Sequence, residues 1–485
     1  MRPAQLPITG GIAEVDEPSP QVLAQRSALA VTPLAWRATA LGILAGGTVV
    51  GAAAASGGGA WWLVMISLTV VVLGLVPALF ASRRPPLGPA PEPPAGAMLP
   101  TISVLVAGRD EAAVLPNLIG DLAAQDHRDP DGRPRFEVVV VDDRSSDGTA
   151  EVTRLAASAH GFVGEEVRVI RREGEDLPDG KGAALTAAQP EALRGEVVVV
   201  LDADARIGPG YVGLVARYVA CGIPALTARR RILEGGASHL AGAQADEQNQ
   251  DGELQRGRWA SGGCSEFRGN GFAIRRDLLA AVGGWRAAAL TEDLDLSSRV
   301  AAASGTTVAW VLDLEVWEEP VHSWGALWRQ RLRWSEGAVR RLFEHGPSVM
   351  KSSRLSVRAR WDFAAYGAQL LAPPLVIGAI AGAVATGSAV AALALVGTYL
   401  AAGGVLAFDA LRWELDTRGL PPAIPTRLGR SVRAGLFSFI WLGALPAALW
   451  RLAIRRGAVR YDKMTHGRPA GSMAETPDAP GAVAS

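Results

Sequence analysis

The sequence is poor in cysteine and lysine and carries no net charge. Its 485 residues include two cysteines and no CxxC pair, which excludes a disulfide scaffold, a cysteine-based zinc site and an iron–sulfur cluster. Lysine plus arginine and aspartate plus glutamate each number 48, so the chain lacks the positive excess of a nucleic-acid-binding protein. No fixed repeat period is present, which excludes coiled-coil, collagen-like and solenoid architectures.

Hydrophobic residues form 49% of the chain and are concentrated toward its two ends. Five apolar runs, nearly free of charge, are each close to the ~20 residues that a helix needs to cross the ~30 Å hydrocarbon layer of a membrane. These runs are 38–56, 60–81, 363–385, 389–408 and 434–454. Buried core helices of a soluble protein are the alternative explanation, and the presence of five such runs makes it the weaker one.

The charges around these runs predict how the chain crosses the membrane. Arg83 and Arg84 follow the second run, and the chain between the fourth and fifth runs is rich in arginine, so we expect both segments on the cytoplasmic side. Three C-terminal crossings would place Arg455 and Arg456 outside, against this rule. Either one run is re-entrant or interfacial, or the C-terminal tail breaks the rule; we favour a cytoplasmic C-terminus.

The middle of the chain has a different pattern, in which short β-branched runs alternate with helical stretches. The strand-like runs are 102–106, 137–141, 167–170 and 197–201. The alternation predicts an α/β fold with a mainly parallel sheet and helices on both faces. Ligands of such sheets bind beyond the carboxyl ends of the strands, where we therefore expect the functional site. Segment 229–262 has no readable pattern, and we expect substrate-facing loops there.

Acidic residues stand at three of these strand ends. Glu111 follows the first strand, Asp142 and Asp143 follow the second, and Asp202 and Asp204 follow the fourth. Two carboxylates separated by one residue can share one divalent ion such as Mg²⁺ or Mn²⁺, whose other ligands are phosphate oxygens and water. A lone Asp-x-Asp is more often a solvated turn or a helix cap. Acid groups at three strand ends favour a binding site instead.

Two further positions downstream have the chemistry of a reactive site. Lys181 stands in a Gly-rich loop, where a compact ammonium suits a diphosphate, although an exposed loop lysine explains this feature equally well. Glu292 and Asp293 open a helical stretch after Thr291. A carboxylate there can act as a general base for a hydroxyl. The simpler explanation is an acidic first turn favoured by the helix dipole.

A third group lies in the Trp- and Arg-rich stretch 322–343, just before the C-terminal apolar runs. Gln330, Arg333 and Trp334 have the i, i+3, i+4 spacing that places three side chains on one helix face. An amide, a guanidinium and an indole on one face suit an anion beside an apolar ring. An interfacial anchor helix without any chemistry is the alternative.

Several segments, taken in order, resemble the motifs of glycosyltransferase family 2, particularly its processive membrane members such as cellulose, chitin, hyaluronan and poly-N-acetylglucosamine synthases. The segments are VLVAGRDEAAVL, VVVVDDRSSDGT, DGKGAAL, VVVVLDADARI, FRGNGFAIRRDLLAAVGGW, LTEDLDLSSRV and QRLRW. The resemblance implies a GT-A type, Rossmann-like domain inserted between transmembrane helices. It also implies an inverting, metal-dependent transfer from a UDP-sugar donor to a growing polysaccharide or glycan acceptor.

Two other functions stay open beside this one. The first is a single-step glycosylation of a membrane lipid or carotenoid, because smaller membrane transferases share the pattern. The second, which is weaker because the motif residues are all present, is a non-catalytic nucleotide-sugar-binding membrane subunit. Asp110 departs from the family, which usually has asparagine at that position.

The resemblance implies roles for individual residues. On the donor side, Glu111, Asp142 and Asp143 would lie beside the nucleoside, Lys181 near the diphosphate and Asp202 near the donor, and Asp204 and Asp202 would be ligands of Mg²⁺ or Mn²⁺. Asn270 would lie on the acceptor side, and Asp293 with its neighbour Glu292 would lie at the catalytic base. Gln330, Arg333 and Trp334 would lie around the diphosphate and the acceptor sugar. Arg333 would stabilise the charge on the leaving UDP.

The composition and apolar runs, together with this resemblance, divide the chain into seven segments. They are a disordered tail (1–35), a transmembrane helical hairpin (36–82), a Pro-rich linker (83–100), a cytoplasmic GT-A glycosyltransferase domain (101–320), amphipathic interfacial helices with the QRLRW motif (321–360), C-terminal transmembrane helices (361–456) and a cytoplasmic tail (457–485). We expect a multi-pass protein of the plasma membrane in contact with membrane lipids. A partner that exports a polymer has no motif in the chain.

Overall fold

The computed structural model describes residues 32–56, 80, 81, 83, 90, 92, 93, 96–174, 177–233 and 238–455. Most of the predicted N-terminal tail, half of the predicted Pro-rich linker and all of the predicted C-terminal tail lie outside these residues. The second apolar run, 60–81, also lies almost wholly outside them. The predicted N-terminal hairpin is therefore described only in its first helix.

Eight strands between the apolar ends form one mixed sheet. They are β1 (Ile102–Gly108), β2 (Phe136–Asp143), β3 (Val167–Arg172), β4 (Val197–Leu201), β5 (Arg206–Ile207), β6 (Ala225–Ile232), β7 (Phe272–Arg275) and β8 (Ala309–Glu318). Their order across the sheet is β3-β2-β1-β4-β7-β6-β8-β5. The first four in this order are mutually parallel, as are β6 and β8, whereas β7 and β5 run antiparallel to their neighbours. The predicted α/β fold with a mainly parallel sheet is confirmed.

Helices flank the sheet and form both ends of the described chain. They are α1 (Leu34–Ser56), α2 (Leu115–Ala123), α3 (Thr149–Ala159), α4 (Lys181–Leu185), α5 (Tyr211–Ala220), α6 (His239–Ala260), α7 (Arg276–Ala281), α8 (Glu292–Ser304), α9 (Trp324–Lys351), α10 (Val357–Leu371), α11 (Pro373–Ala385), α12 (Ala389–Ala410), α13 (Ile424–Phe437) and α14 (Phe439–Ile454). Short 3-10 turns occupy Thr186–Ala188, Pro190–Ala192 and Leu411–Trp413.

The central strands are apolar on both faces because each face of the sheet is covered. Every residue of β2 and β4 is buried. Since side chains alternate between the faces of a strand, Val138 and Val140 pack into one hydrophobic core, and Val139 and Val141 pack into the other. Because β1, β2 and β4 are parallel, their carboxyl ends meet at one edge of the sheet.

The prediction of loops over 229–262 is wrong. Much of this segment is α6, a helix of 22 residues whose polar side chains are largely buried. Two sides of α6 are covered, since Gln248 donates a hydrogen bond to Glu318 of β8 and Asp246 pairs with Arg430 and Arg433 of α13. A helix with polar partners on opposite sides has no apolar stripe, so its periodicity is absent from the sequence.

Three helical stretches of the described chain are long and apolar enough to cross a membrane: Leu34–Ser56, Ala389–Trp413 and Ile424–Ile454. A fourth arises if α10 and α11 count as one span, which is bent by 44°. The predicted run 363–385 is therefore not one straight helix. The bend matches the geometry of a broken span or a re-entrant segment, which is one of the two explanations that the arginine pattern leaves open.

Small residues bring α1 and α11 into close contact. A Cβ atom on Gly51 would lie 2.2 Å from the carbonyl oxygen of Leu375, and one on Gly378 would lie 2.1 Å from that of Thr48. Both distances are far below van der Waals contact, so only glycine fits at these positions. Backbone contact through glycine is typical of helices that associate within a membrane.

Candidate active site

A cavity of about 900 Å³ opens at the carboxyl ends of β1, β2 and β4. The predicted site residues that line it are Glu111, Asp143, Lys181, Asp202, Asp204, Glu292, Asp293, Gln330, Arg333 and Trp334. They come from separate segments that the sheet topology and the start of α8 and α9 bring together. The cavity then continues among the C-terminal helices α10 to α14.

Two predicted site residues lie behind the cavity wall. Asp142 is 1% exposed, and its Oδ1 accepts a hydrogen bond from the backbone N–H of Ser145 at 3.1 Å. Asn270 is fully buried, and its Oδ1 accepts from the backbone N–H of Asp202 at 3.0 Å. Since neighbouring strand residues point to opposite faces, Asp143 reaches the cavity and Asp142 does not. Asp142 and Asn270 thus hold the backbone next to the cavity.

Asp143 is fixed by two guanidinium groups. Its Oδ1 accepts hydrogen bonds from Arg172 Nη1 at 2.8 Å and from Arg144 Nε at 3.0 Å. The two guanidinium groups counter the charge of this carboxylate and fix its orientation at the end of β2. Such a group can accept hydrogen bonds from the N–H or hydroxyl groups of a ligand.

Asp110 adopts a left-handed backbone conformation with φ of 51°. Its Oδ1 accepts hydrogen bonds from the backbone N–H of Ser146 at 2.7 Å and from the Ser146 hydroxyl at 3.1 Å. Aspartate and asparagine both tolerate this conformation and both offer an Oδ1 acceptor. The structure therefore explains how aspartate serves at a position where the family usually has asparagine.

Lys181 begins α4 and joins three segments around the cavity. Its ammonium donates to Asp202 Oδ1 and to the carbonyl oxygen of Gly269, the latter at 2.7 Å, and lies 3.3 Å from Glu292 Oε1. Burial alone would lower the pKa of Lys181, but the carboxylates of Asp202 and Glu292 outweigh burial and raise it. The side chain is thus a fixed positive charge at the centre of the acidic cavity.

Glu292 and Asp293 differ in their surroundings although they are neighbours. Burial, together with the charge of Asp293, raises the pKa of Glu292 to about 7, despite the opposing effect of Lys181. Asp293 Oδ2 accepts a hydrogen bond from the backbone N–H of Gly269 at 2.7 Å. Gly269 has φ of 46°, a left-handed conformation that favours glycine, and its peptide groups contact both Asp293 and Lys181.

The QRLRW segment packs against the start of α8 and against α14. A Cβ atom on Gly337 would lie 2.3 Å from Thr291 Cγ2, so glycine is needed where α8 and α9 meet. The Trp334 ring stacks on that of Trp441 with centroids 6.5 Å apart, and the guanidinium of Arg331 lies 4.3 Å from the Trp334 ring centroid. Trp334 is therefore held in one orientation at the cavity wall.

Asp202 and Asp204 have the donor set of a divalent metal site. Both line the cavity, Asp202 is held by Lys181, and Asp204 Oδ2 accepts from the backbone N–H of Glu319 at 3.1 Å. Two carboxylates beside an open cavity leave coordination positions for phosphate oxygens and water, which Mg²⁺ and Mn²⁺ prefer. The residues present fit such an ion.

A second group in the described chain has ligand atoms close enough for a metal: those of Asp295, Glu344 and His345 lie within 4.8 Å of one another. However, Asp295 pairs with Arg286 and Arg299, each at 2.8 Å, and Arg286 also pairs with Glu344. Two guanidinium groups already neutralise these carboxylates, which disfavours a divalent cation. The cluster is an ionic link between α8 and α9.

Several residues of the cavity wall were not named individually from the sequence: Arg230, Glu247, Arg268 and Trp441. Arg230 and Glu247 do lie in segment 229–262, which was predicted to face the substrate. Trp441 lies in an apolar run whose composition indicates only a membrane helix, so nothing in the sequence distinguishes it. Arg268 lies in the stretch 267–271, which the family resemblance implied on the acceptor side.

A family model described as "Glycosyltransferase like family 2" matches residues 100–337, the part of the chain that forms the sheet and most of the cavity. The chain contains a family 2 glycosyltransferase domain. The prediction of an enzyme of this family is confirmed. A mannosyltransferase from Pyrobaculum calidifontis, solved in complex with GDP-Man and Mn²⁺, shares the fold with a TM-score of 0.54 and 21% identity, over 84% of this chain and 99% of that one.

Curated relatives of the chain include two kinds of enzyme. Beta-monoglucosyldiacylglycerol synthase from Trichormus variabilis is 32% identical over 54% of this chain and 54% of its own, and that from Synechocystis sp. is 28% identical over 76% and 75%. Poly-beta-1,6-N-acetyl-D-glucosamine synthase from Staphylococcus epidermidis is 26% identical over 53% and 59%. The chain thus spans about half the length of the Trichormus and Staphylococcus relatives.

Proposed function

We propose that this glycosyltransferase moves one hexose from a UDP-sugar to a glycerolipid in the membrane, with inversion at the anomeric carbon. The observation that carries the proposal is the shape of the cavity, which holds the carboxylates at one end and reaches the apolar helices α11 to α14 at the other. A lipid acceptor needs both environments. The names of the more similar relatives also support lipid glycosylation over the polysaccharide synthesis that the sequence motifs first favoured.

The donor end of the cavity would bind the nucleotide sugar. Asp143 is placed to accept hydrogen bonds from the nucleoside, and Lys181 and Arg333 would counter the charge of the diphosphate. Asp202 and Asp204 would hold Mg²⁺ or Mn²⁺, which supplies further neutralisation of the leaving group when it is bound.

The transfer itself would be a single displacement. Asp293 takes the proton of the acceptor hydroxyl, the hydroxyl oxygen forms a bond to the anomeric carbon, and the bond from that carbon to the diphosphate oxygen breaks, so UDP leaves with the electron pair. The stacked rings of Trp334 and Trp441 offer, in the same cavity as Asp293, an apolar surface on which a sugar ring can lie. Arg333 stabilises the departing charge.

The arrangement of arginines supports a catalytic domain on the cytoplasmic side of the plasma membrane, where nucleotide sugars are made. Arg412, Arg427, Arg430 and Arg433 surround the segment between α12 and α14, and Arg412 and Arg430 pair with acids of α6. The segment and the glycosyltransferase domain therefore belong to the same side of the membrane.

Product analysis tests the proposal. The purified protein in lipid nanodiscs receives dioleoylglycerol, Mn²⁺ and, separately, UDP-glucose, UDP-galactose or UDP-N-acetylglucosamine. We expect stoichiometric release of UDP and an organic-soluble lipid that carries a single sugar. Absence of UDP release with every donor would contradict the proposal.

Polysaccharide synthesis is the second candidate, because Gln330, Arg333 and Trp334 of the QRLRW motif all face the cavity. The same assay separates the two functions. A ladder of water-soluble sugars without a glycolipid would favour a synthase and would exclude the single-step transfer.

A further inference from the structure

We propose that Gln369 binds the polar head of the lipid acceptor, and that the hydrocarbon chains of the lipid lie in the adjoining part of the cavity. This inference rests on the proposed function and identifies the acceptor site. We define the acceptor cleft as the part of the cavity lined by Val376 of α11, Leu395, Ala402 and Leu406 of α12, and Leu445 of α14.

The cavity wall combines charged, polar and apolar side chains. Besides the carboxylates it includes the polar residues Tyr366, Gln369, Tyr399 and Ser438 and the apolar residues of the acceptor cleft. Diacylglycerol combines the same properties, with a hydroxyl, ester groups and two hydrocarbon chains. The apolar residues of the acceptor cleft suit hydrocarbon chains better than they suit a glycan.

Gln369 differs from the other polar residues just named, because its side-chain oxygen lacks a partner among the described residues. The hydroxyl of Tyr366 accepts from Arg268 Nη2 at 3.1 Å, and that of Tyr399 donates to the carbonyl oxygen of Ser438 at 3.2 Å. By contrast, the buried Oε1 atom of Gln369 has no hydrogen-bond partner within the described part of the chain. A buried amide oxygen without a donor is costly, so this atom is suited to the hydroxyl of a ligand.

The break between α10 and α11 explains why an amide is found at this depth. Gln369 lies in the last turn of α10, immediately before the 44° bend that precedes Pro373. The bend turns α11 toward α1 and leaves the end of α10 at the cavity wall. Gln369, Asp293 and the acceptor cleft line the same cavity, so a lipid whose chains lie in the cleft can present its head to this amide.

The first experiment removes the amide. Gln369→Leu keeps the approximate volume and deletes the acceptor atom, and Gln369→Glu restores an oxygen. We expect Gln369→Leu to raise KM for dioleoylglycerol by about 5- to 10-fold, the loss of one hydrogen bond. Its UDP affinity should equal that of the wild type, and Gln369→Glu should recover part of the KM. An unchanged KM in Gln369→Leu would overturn the role of this residue.

The second experiment blocks the acceptor cleft. Ala402→Trp inserts a large ring into it, and Leu393→Trp is the matched control, because Leu393 is 70% exposed and lies nine residues away, on the opposite face of α12. We expect Ala402→Trp to lose at least tenfold in transfer to dioleoylglycerol while it retains transfer to dihexanoylglycerol. Leu393→Trp should resemble the wild type with both acceptors.

The outcomes separate the two proposals. If the wild type makes no glycolipid, the proposed function fails. If it makes glycolipid and Ala402→Trp uses both acceptors as well as the wild type does, only the acceptor cleft is wrong. An equal loss with the long-chain and the short-chain lipid would also contradict the cleft, because it would show damage to the donor site.

Discussion

Replacing Asp293 by asparagine tests the proposed catalytic base with little change of structure. Asp293 Oδ2 accepts a hydrogen bond from the backbone N–H of Gly269 at 2.7 Å, and the amide oxygen of asparagine can accept the same bond. The substitution therefore removes the negative charge and the proton-accepting oxygen but keeps the contact between the start of α8 and the turn before β7.

The expected loss follows from the chemistry of the step. General base catalysis contributes about 10²- to 10⁴-fold, which corresponds to about 3–5 kcal/mol in the activation barrier. We expect kcat of Asp293→Asn to fall by this factor, with the affinity for UDP within about twofold of the wild type, because the removed interaction acts in the transition state.

The assay combines UDP release, calorimetric titration with UDP and a thermal melt. Glu292→Gln is the matched control, since it neutralises the adjacent carboxylate, whose contact is Lys181 rather than Gly269. For this control we expect a higher KM for the donor and a smaller loss of kcat. If Asp293→Asn keeps more than a tenth of wild-type kcat, Asp293 is not the base. If its UDP affinity falls along with kcat, the residue has a structural role.

Three further predictions concern the metal, the pH dependence and the α6 contacts. Asp204→Asn should abolish the rescue of chelator-treated enzyme by Mn²⁺, measured as UDP release; full rescue would contradict the metal role. Because the pKa of Glu292 is raised to about 7 in the folded protein, its ionisation destabilises the fold as pH rises from about 4.5 to 7. Glu292→Gln should therefore raise the free energy of unfolding more at pH 8 than at pH 5, with a difference of up to about 3 kcal/mol in chemical unfolding. An equal effect of the substitution at both pH values would refute this. Asp246→Asn removes the buried carboxylate that pairs with Arg430 and Arg433, and should lower the free energy of unfolding by roughly 2–4 kcal/mol. The loss is smaller than for a fully buried pair because both guanidinium groups are partly exposed. An unchanged melting temperature would contradict this prediction.

The sheet was predictable because its central strands are buried on both faces and read as runs of valine. Their parallel order also predicted that acids at the strand ends would meet, as Asp143 and Asp202 do at the cavity. The position of Asp142 was not predictable from the motif alone. The end of β2 continues through Asp143, and the alternation of side chains turns Asp142 away from the cavity.

Features that depend on contacts between distant segments were not predictable. α6 has no apolar stripe because its partners on both sides are polar, so its sequence resembles that of a loop. Trp441 acquires its position only when α14 packs beside α9 and brings its ring onto Trp334. The bend before Pro373 instead has a local cause, because Pro373 and Pro374 cannot donate the backbone hydrogen bonds that would continue α10; apolar composition alone indicated a continuous run.

The contacts of α6 have a consequence for protein engineering. Asp246 of this helix forms ion pairs with Arg430 and Arg433, and Glu253 forms one with Arg412. These arginines lie in the segment 409–433, beyond the first C-terminal apolar helices. A chimaera that grafts the sugar-transferring half onto the membrane anchors of another enzyme would bury Asp246 without its two arginines and would leave Glu253 with Arg256 alone. The glycosyltransferase domain can therefore be exchanged between such proteins only if α6 and residues 409–433 are transferred together.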